Sequence, residues 1–272
     1  MMRIGLLITC LVDGMFPDVA ADTVTVLRRL GHDVEVPLAQ TCCGQMHVNT
    51  GYPRLAVPLI QRYVETFSGY DAVVAPSGSC IGSVRHQHAD VARQSELEGL
   101  AVLAEDVARR SYELSEFLVD VLGVTDVGAS YPHRVTYHPT CHSLRMLRVG
   151  DKPLQLLRAV RGIDLVELTD AESCCGFGGT FAMKNADVSA AMLADKLDRV
   201  AETGATRLCA SDSSCLMHLG GGISRRRTPG ASSRSASGPS SGSAPADLET
   251  VHLANILASN LPGDHARLPA RK

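Results

Sequence analysis

Apolar residues come in short runs separated by longer amphipathic stretches, and the alternation occurs twice along the chain. Arg3–Thr9 carries Ile4, Leu6, Leu7 and Ile8 in a short continuous run, the pattern of a buried strand. Asp18–Leu30 has apolar positions at helical spacing and is ended by Gly31, and Val34–Leu38 reads as a second strand. After a Cys-Cys-Gly loop, Arg54–Phe67 reads as a helix and Asp71–Pro76 as a third strand. The series recurs as strand Arg134–His138, helix Pro153–Val160, strand Leu165–Leu168, a second Cys-Cys-Gly loop, helix Ala186–Thr203 and strand Thr206–Ala210. Each half is β-α-β-α-β, which calls for a parallel sheet with right-handed crossovers. The predicted fold class is α/β, two tandem Rossmann-like repeats over residues 1–128 and 129–272.

Residues 220–246 break the order. They hold 6 Gly, 8 Ser and 3 Pro, with Ile223 as the one large apolar residue, so a disordered insert is expected before a last helix, Leu248–Ala258. Arg225-Arg226-Arg227 reads as a solvated charge run. Across 272 residues, 45% are apolar and 20% charged, which excludes a collagenous or wholly disordered chain and allows a core without disulfides. A formal charge of −3 offers no basic footprint for nucleic acid. No apolar run approaches the ~20 residues that a membrane span needs. The opening MMRIGLLITC superficially resembles a lipoprotein signal, but its apolar stretch of about six residues is shorter than a secretory core of roughly 7–15. A cytoplasmic location is expected, where thiols stay reduced and serve metal binding or chemistry more often than disulfides.

Nine cysteines are then left to explain, and eight of them form two matching sets. Cys10 is followed after 31 residues by Cys42-Cys43-Gly44 and after 36 more by Cys80; Cys141 is followed after 32 by Cys174-Cys175-Gly176 and after 39 more by Cys215. Ser77–Cys80 (SGSC) answers Ser211–Cys215 (SDSSC), and Ser111–Leu118 answers Glu249–Leu257. Cys10, Cys42-Cys43 and Cys80 each follow a different strand, as do Cys141, Cys174-Cys175 and Cys215. In a parallel sheet those ends lie along one edge, where open α/β folds place their ligands. Four thiols distant in sequence therefore converge in each half, and Cys209 stands outside the pattern.

Four reduced thiols can hold zinc or an iron–sulfur cluster. Structural zinc sites are usually built on C-x₂₋₄-C knuckles, which are missing here, whereas thiolates, commonly four, hold iron–sulfur clusters. A zinc-stapled interaction protein, a thiol or heterodisulfide reductase, and a set of merely buried cysteines remain as alternatives. No G-x-G-x-x-G nucleotide fingerprint is present, and no catalytic residue is assigned.

These motifs identify the halves as resembling the CCG-type cysteine-rich domain, found twice in the B subunit of heterodisulfide reductases and in iron–sulfur subunits of glycolate oxidase. The two-repeat length, with SGSC, SDSSCLMHLGGG and VHLANIL, most resembles the lactate-utilization branch of that family. The resemblance implies an iron–sulfur electron-transfer subunit of a complex oxidising L-lactate to pyruvate, with companion lactate-utilization proteins, one of them ferredoxin-like. It implies metal ligation by Cys10, Cys42, Cys43, Cys80, Cys141, Cys174, Cys175 and Cys215. The family's fuller motif ends in C-x-x-C, but Ser77 and Asp212 replace its first cysteine, leaving four thiols per site and favouring one or two conventional four-iron, four-sulfur clusters per chain. Asp212 is either an oxygen ligand or a helix cap. His47, His138, His142 and His218 lie near the cysteines in sequence and are read as loop or capping residues before any role beside a cluster. Cys209, inside a strand, is read as buried.

Overall fold

The computed structural model describes residues 1–227 and 247–260. Each half forms a four-stranded, all-parallel sheet. In the first, β1 (Arg3–Leu6), β2 (Asp33–Glu35), β3 (Ala72–Ala75) and β4 (Ser111–Glu113) lie in the order β2-β1-β3-β4. In the second, β5 (Arg134–His138), β6 (Asp164–Val166), β7 (Arg207–Ala210) and β8 (Glu249–His252) lie in the order β6-β5-β7-β8. The register repeats at a constant offset, since Arg3 pairs with Asp33 on β2 as Arg134 pairs with Asp164 on β6.

The expected three strands per half are present, and a fourth is added to each. β4 and β8 occupy the two segments whose likeness was noted between the repeats, and both lead straight into a helix. Glu113 accepts from the Ser115 and Glu116 N–H groups, and His252 Nδ1 accepts from Ala254 N–H at 3.0 Å. The expected helix Leu248–Ala258 is thus a strand, Glu249–His252, followed by a shorter helix, Leu253–Ala258. Valine and threonine in ETVH favour extended backbone, and the parallel partner β7 supplies its hydrogen bonds.

The expected insert is also revised at its start. Gly220–Arg227 continue a helix that begins at Ser213, with Leu219, Gly222 and Ile223 buried. Glycine suits this helix because a Cβ at Gly222 would lie 2.8 Å from Leu197 and 2.9 Å from Leu193. Arg226 forms an ion pair with Asp198 at 2.8 Å and donates to the Ala194 carbonyl at 2.9 Å, and Arg227 donates to the Leu248 carbonyl, so two of the three arginines are tied to the fold. The remainder, 228–246, lies outside the described residues.

Among the described residues, three apolar layers hold the fold. One lies on the outer side of each sheet. The third joins the halves, bringing Ile4, Leu6 and Val74 together with Val135, Tyr137 and Leu257. Helix Pro17–Arg29 packs there against Leu253–Ala258, where the Arg29 guanidinium donates to the Val127, Leu257 and Ala258 carbonyls. Cys209 is fully buried in this shared layer, and desolvation raises its thiol pKa. No described helix is long and apolar enough to cross a membrane.

Candidate metal centres

The strand ends deliver the thiols as the spacing implied. Cys10 begins the helix Cys10–Met15 after β1, whose first turn is capped by Thr9 Oγ1. Cys42 and Cys43 sit in the loop after β2, and Cys80 lies in the first turn of helix Gly78–His86, where Ser77 Oγ accepts from Cys80 N–H at 3.3 Å. Cys141, Cys174, Cys175 and Cys215 repeat this placement after β5, β6 and β7. In both Cys-Cys-Gly loops the glycine has positive φ, +83° at Gly44 and +90° at Gly176. A Cβ at Gly176 would also stand 2.6 Å from the Ser189 carbonyl oxygen, so this turn requires glycine.

The four thiols of each half touch in a chain. Cys10 bonds Cys42, Cys42 bonds Cys43, and Cys43 bonds Cys80; Cys141, Cys174, Cys175 and Cys215 do the same. Cys42 is the acceptor of its set: hydrogen bonds from Cys10 and Cys43, then from Gly44 N–H at 3.4 Å, lower its pKa far below the usual thiol range against the opposing effect of burial. Cys174 is held down in the same way by Cys141, Cys175 and Gly176 N–H at 3.4 Å. The donors Cys10, Cys43, Cys141 and Cys175 are raised by those same bonds and by burial. Each half therefore presents four clustered sulfurs with a backbone N–H group aimed at one of them, a donor set suited to a metal centre. Cys43, Cys80, Cys175 and Cys215 are buried, Cys42, Cys141 and Cys174 half-buried, and Cys10 exposed.

Both quartets line one cavity of about 240 Å³ between the halves. The positions that lack a family cysteine meet across it. Ser77 and Asp212 form an isolated antiparallel bridge, and Ser77 Oγ donates to Asp212 Oδ2 at 3.0 Å. Ser79 N–H donates to the same oxygen at 3.0 Å, while Ser214 N–H and Oγ donate to Oδ1 at 3.1 and 2.6 Å. Asp212 thus spends both oxygens on four protein donors, which supports the capping reading of this residue over oxygen ligation.

The histidines divide. His142 lines the cavity, and His218 lies against the Phe177 ring at 5.8 Å with Nε2 3.4 Å from Ser189 Oγ. Burial lowers the pKa of His218. His47 falls in the short helix Gln45–Asn49. His138 is fully buried at the end of β5 with neither ring nitrogen hydrogen-bonded, and a ring nitrogen lies within 4.8 Å of the Cys175 and Cys215 sulfurs. Desolvation lowers its pKa to about 3.

Two supporting residues had no sequence signal. His88 Nε2 donates to the Cys43 carbonyl at 2.8 Å from a buried position beside Tyr63, and desolvation lowers its pKa to about 4. Lys196 is buried and donates to the Asp170 and Ala171 carbonyls at 3.0 and 3.1 Å, fixing the loop before Cys174. Neither histidine nor lysine spacing links these side chains to the cysteine loops they hold.

A family model described as the cysteine-rich domain, CCG, matches residues 4–85 and 135–220, one match per half. The chain is 42% identical to lactate utilization protein A of Oceanobacillus iheyensis over 96% of its length and 99% of the relative. The chain belongs to this family. Lactate utilization protein A of Bacillus pumilus is 40% identical over 95% of the chain and all of the relative, and that of Bacillus cytotoxicus 43% over 82% and 92%. Both CCG matches stop before β4 and β8, the strands that complete each sheet. The thiol quartets, with an unbonded buried imidazole beside the second, fit the family's implied metal chemistry: the protein donors are sulfur-rich and clustered.

Proposed function

We propose that this protein is the iron–sulfur electron-transfer subunit of a cytoplasmic complex that oxidises L-lactate to pyruvate, with one four-iron, four-sulfur cluster on each quartet. The supporting observation is the cavity on which both sets of four thiols converge. Cys10, Cys42, Cys43 and Cys80 would hold the first centre, and Cys141, Cys174, Cys175 and Cys215 the second. Such a cluster, when bound, supplies reversible one-electron storage.

The chain's own residues do the remainder. Gly44 and Gly176 N–H groups aim at Cys42 and Cys174 sulfur, stabilising charge there. Burial of Cys43, Cys80, Cys175 and Cys215 excludes water from the inner wall, while exposed Cys10 marks the side open to an electron partner. Ser77 and Asp212 lock the two strand ends together, so the two centres keep a fixed separation. The name of the relatives supports lactate as the compound whose electrons are handled. Oxidation of lactate itself belongs to companion lactate-utilization proteins, one of them ferredoxin-like.

The test is an assay of anaerobically purified, cluster-loaded protein with L-lactate and an artificial acceptor, alone and with those companions. Turnover only with companions is expected. Robust oxidation by this chain alone overturns the carrier role, and no gain from the companions overturns the complex.

A further inference from the structure

We infer that His138 is a metal ligand of the second centre, bonding iron through a ring nitrogen, so that the two centres of this chain are chemically unequal. The inference rests on the cluster reading above and extends it to a residue outside the cysteine motif.

The two repeats can be superposed by number. Arg3 and Arg134 open the first strand of each sheet, and Cys10 and Cys141 follow seven positions later, so that Leu7 and His138 occupy equivalent places. Leu7 is fully buried and packs with Cys43 and Cys80 in the outer core of the first half. His138 is equally buried and stands against the matching pair, Cys175 and Cys215, within 4.8 Å. An apolar wall in one half is thus a nitrogen donor in the other.

A buried imidazole with both nitrogens unbonded is costly. A polar group taken from water without a partner forfeits its hydrogen bonds to water, and buried polar groups in native proteins nearly always find a partner. His88 and His252 obey that rule: each bonds a backbone carbonyl through Nε2, at Cys43 and Pro76. No described protein group serves His138. An imidazole can offer a ring-nitrogen lone pair to a metal, and the Cys175 and Cys215 sulfurs lie within 4.8 Å of a His138 ring nitrogen. Imidazole nitrogen is a good iron ligand and serves beside thiolates in some iron–sulfur centres; here it is a fifth protein donor next to Cys141, Cys174, Cys175 and Cys215. The second centre therefore has five protein donors where the first has four.

The experiment is pulsed paramagnetic resonance on the anaerobically purified, reduced protein grown with natural or ¹⁵N-labelled histidine. A nitrogen coupling of directly bonded strength, changing with the isotope, is expected. It should vanish in H138L, which installs the residue the first half already carries, and persist in H142Q. The wild-type isotope comparison needs no variant to fold. An iron–sulfur signal with only weak, hydrogen-bond-strength nitrogen coupling, or with none, overturns the assignment of His138 while leaving the cluster reading intact. A strong coupling that survives in folded H138L also overturns it. Absence of any iron–sulfur signal, with iron and sulfide below stoichiometry, overturns the cluster reading first.

Discussion

Replacing Asp212 by alanine tests how the halves are joined. Its carboxylate is 2% exposed and accepts four hydrogen bonds, two from Ser214 in its own turn and two across the interface from Ser77 Oγ and Ser79 N–H. Loss of the local pair resembles loss of a helix cap, about 1 kcal/mol. Loss of the interface pair leaves the half-buried Ser79 N–H without its acceptor and removes a charged partner, about 2–3 kcal/mol more. Asp212→Ala is therefore expected to cost about 3–4 kcal/mol. Asp212→Asn should cost about 2 kcal/mol or more, because each oxygen faces an N–H donor and either amide orientation sets NH₂ against one of them. Ser77→Ala removes one bond to Asp212 and the cap on Cys80, about 1–2 kcal/mol. Urea unfolding followed by circular dichroism at neutral pH, with the double variant closing the cycle, measures the coupling across the interface. A coupling of about 1 kcal/mol is expected. An Asp212→Ala cost below about 0.5 kcal/mol, or zero coupling, would refute the interface, and a selective loss of iron from a folded variant would return Asp212 to the ligand set.

Three further outcomes are expected. Cys43→Ser should remove the metal of the first site and leave the second, measured by metal content per folded chain; loss of all metal would contradict separate quartets. Gly176→Ala, forced to φ +90° and 2.6 Å from a carbonyl oxygen, should destabilise by about 1–3 kcal/mol and deplete the second site, whereas Gly31→Ala, at φ +85° in open space, should keep both sites loaded. Burial raises the Glu113 pKa to about 7, so this carboxyl is destabilising once ionised. The raised value means that stability is full below about pH 4.5 and lost as pH rises toward 7, by at most about 3 kcal/mol. Glu113→Gln should thus raise the unfolding midpoint at pH 8 and leave it nearly unchanged at pH 4.

The sequence made the repeats and the convergence of the thiols legible, because spacing, strand order and the rule for parallel sheets suffice to place a residue at a sheet edge. Helix Pro17–Arg29 and strand Arg134–His138 fall within a residue of their expected bounds, since their periodicity is strong. β4 and β8 were hidden by shortness and polarity: Ser-Tyr-Glu and Glu-Thr-Val-His acquire strand character from β3 and β7 beside them. Gly220–Arg227 looked like coil because composition counts glycine against helix, while here its small size admits Leu193 and Leu197. The meeting of Ser77 with Asp212 and the isolation of His138 are tertiary facts. Alignment of the halves at the offset that equates Cys10 with Cys141 would have set His138 against Leu7 and marked the difference.

The most direct measurement is the iron, acid-labile sulfide and zinc content of anaerobically purified protein. Two four-iron clusters per chain predict about eight irons and about eight sulfides, without stoichiometric zinc. Zinc in place of iron, or iron without sulfide, would contradict the account.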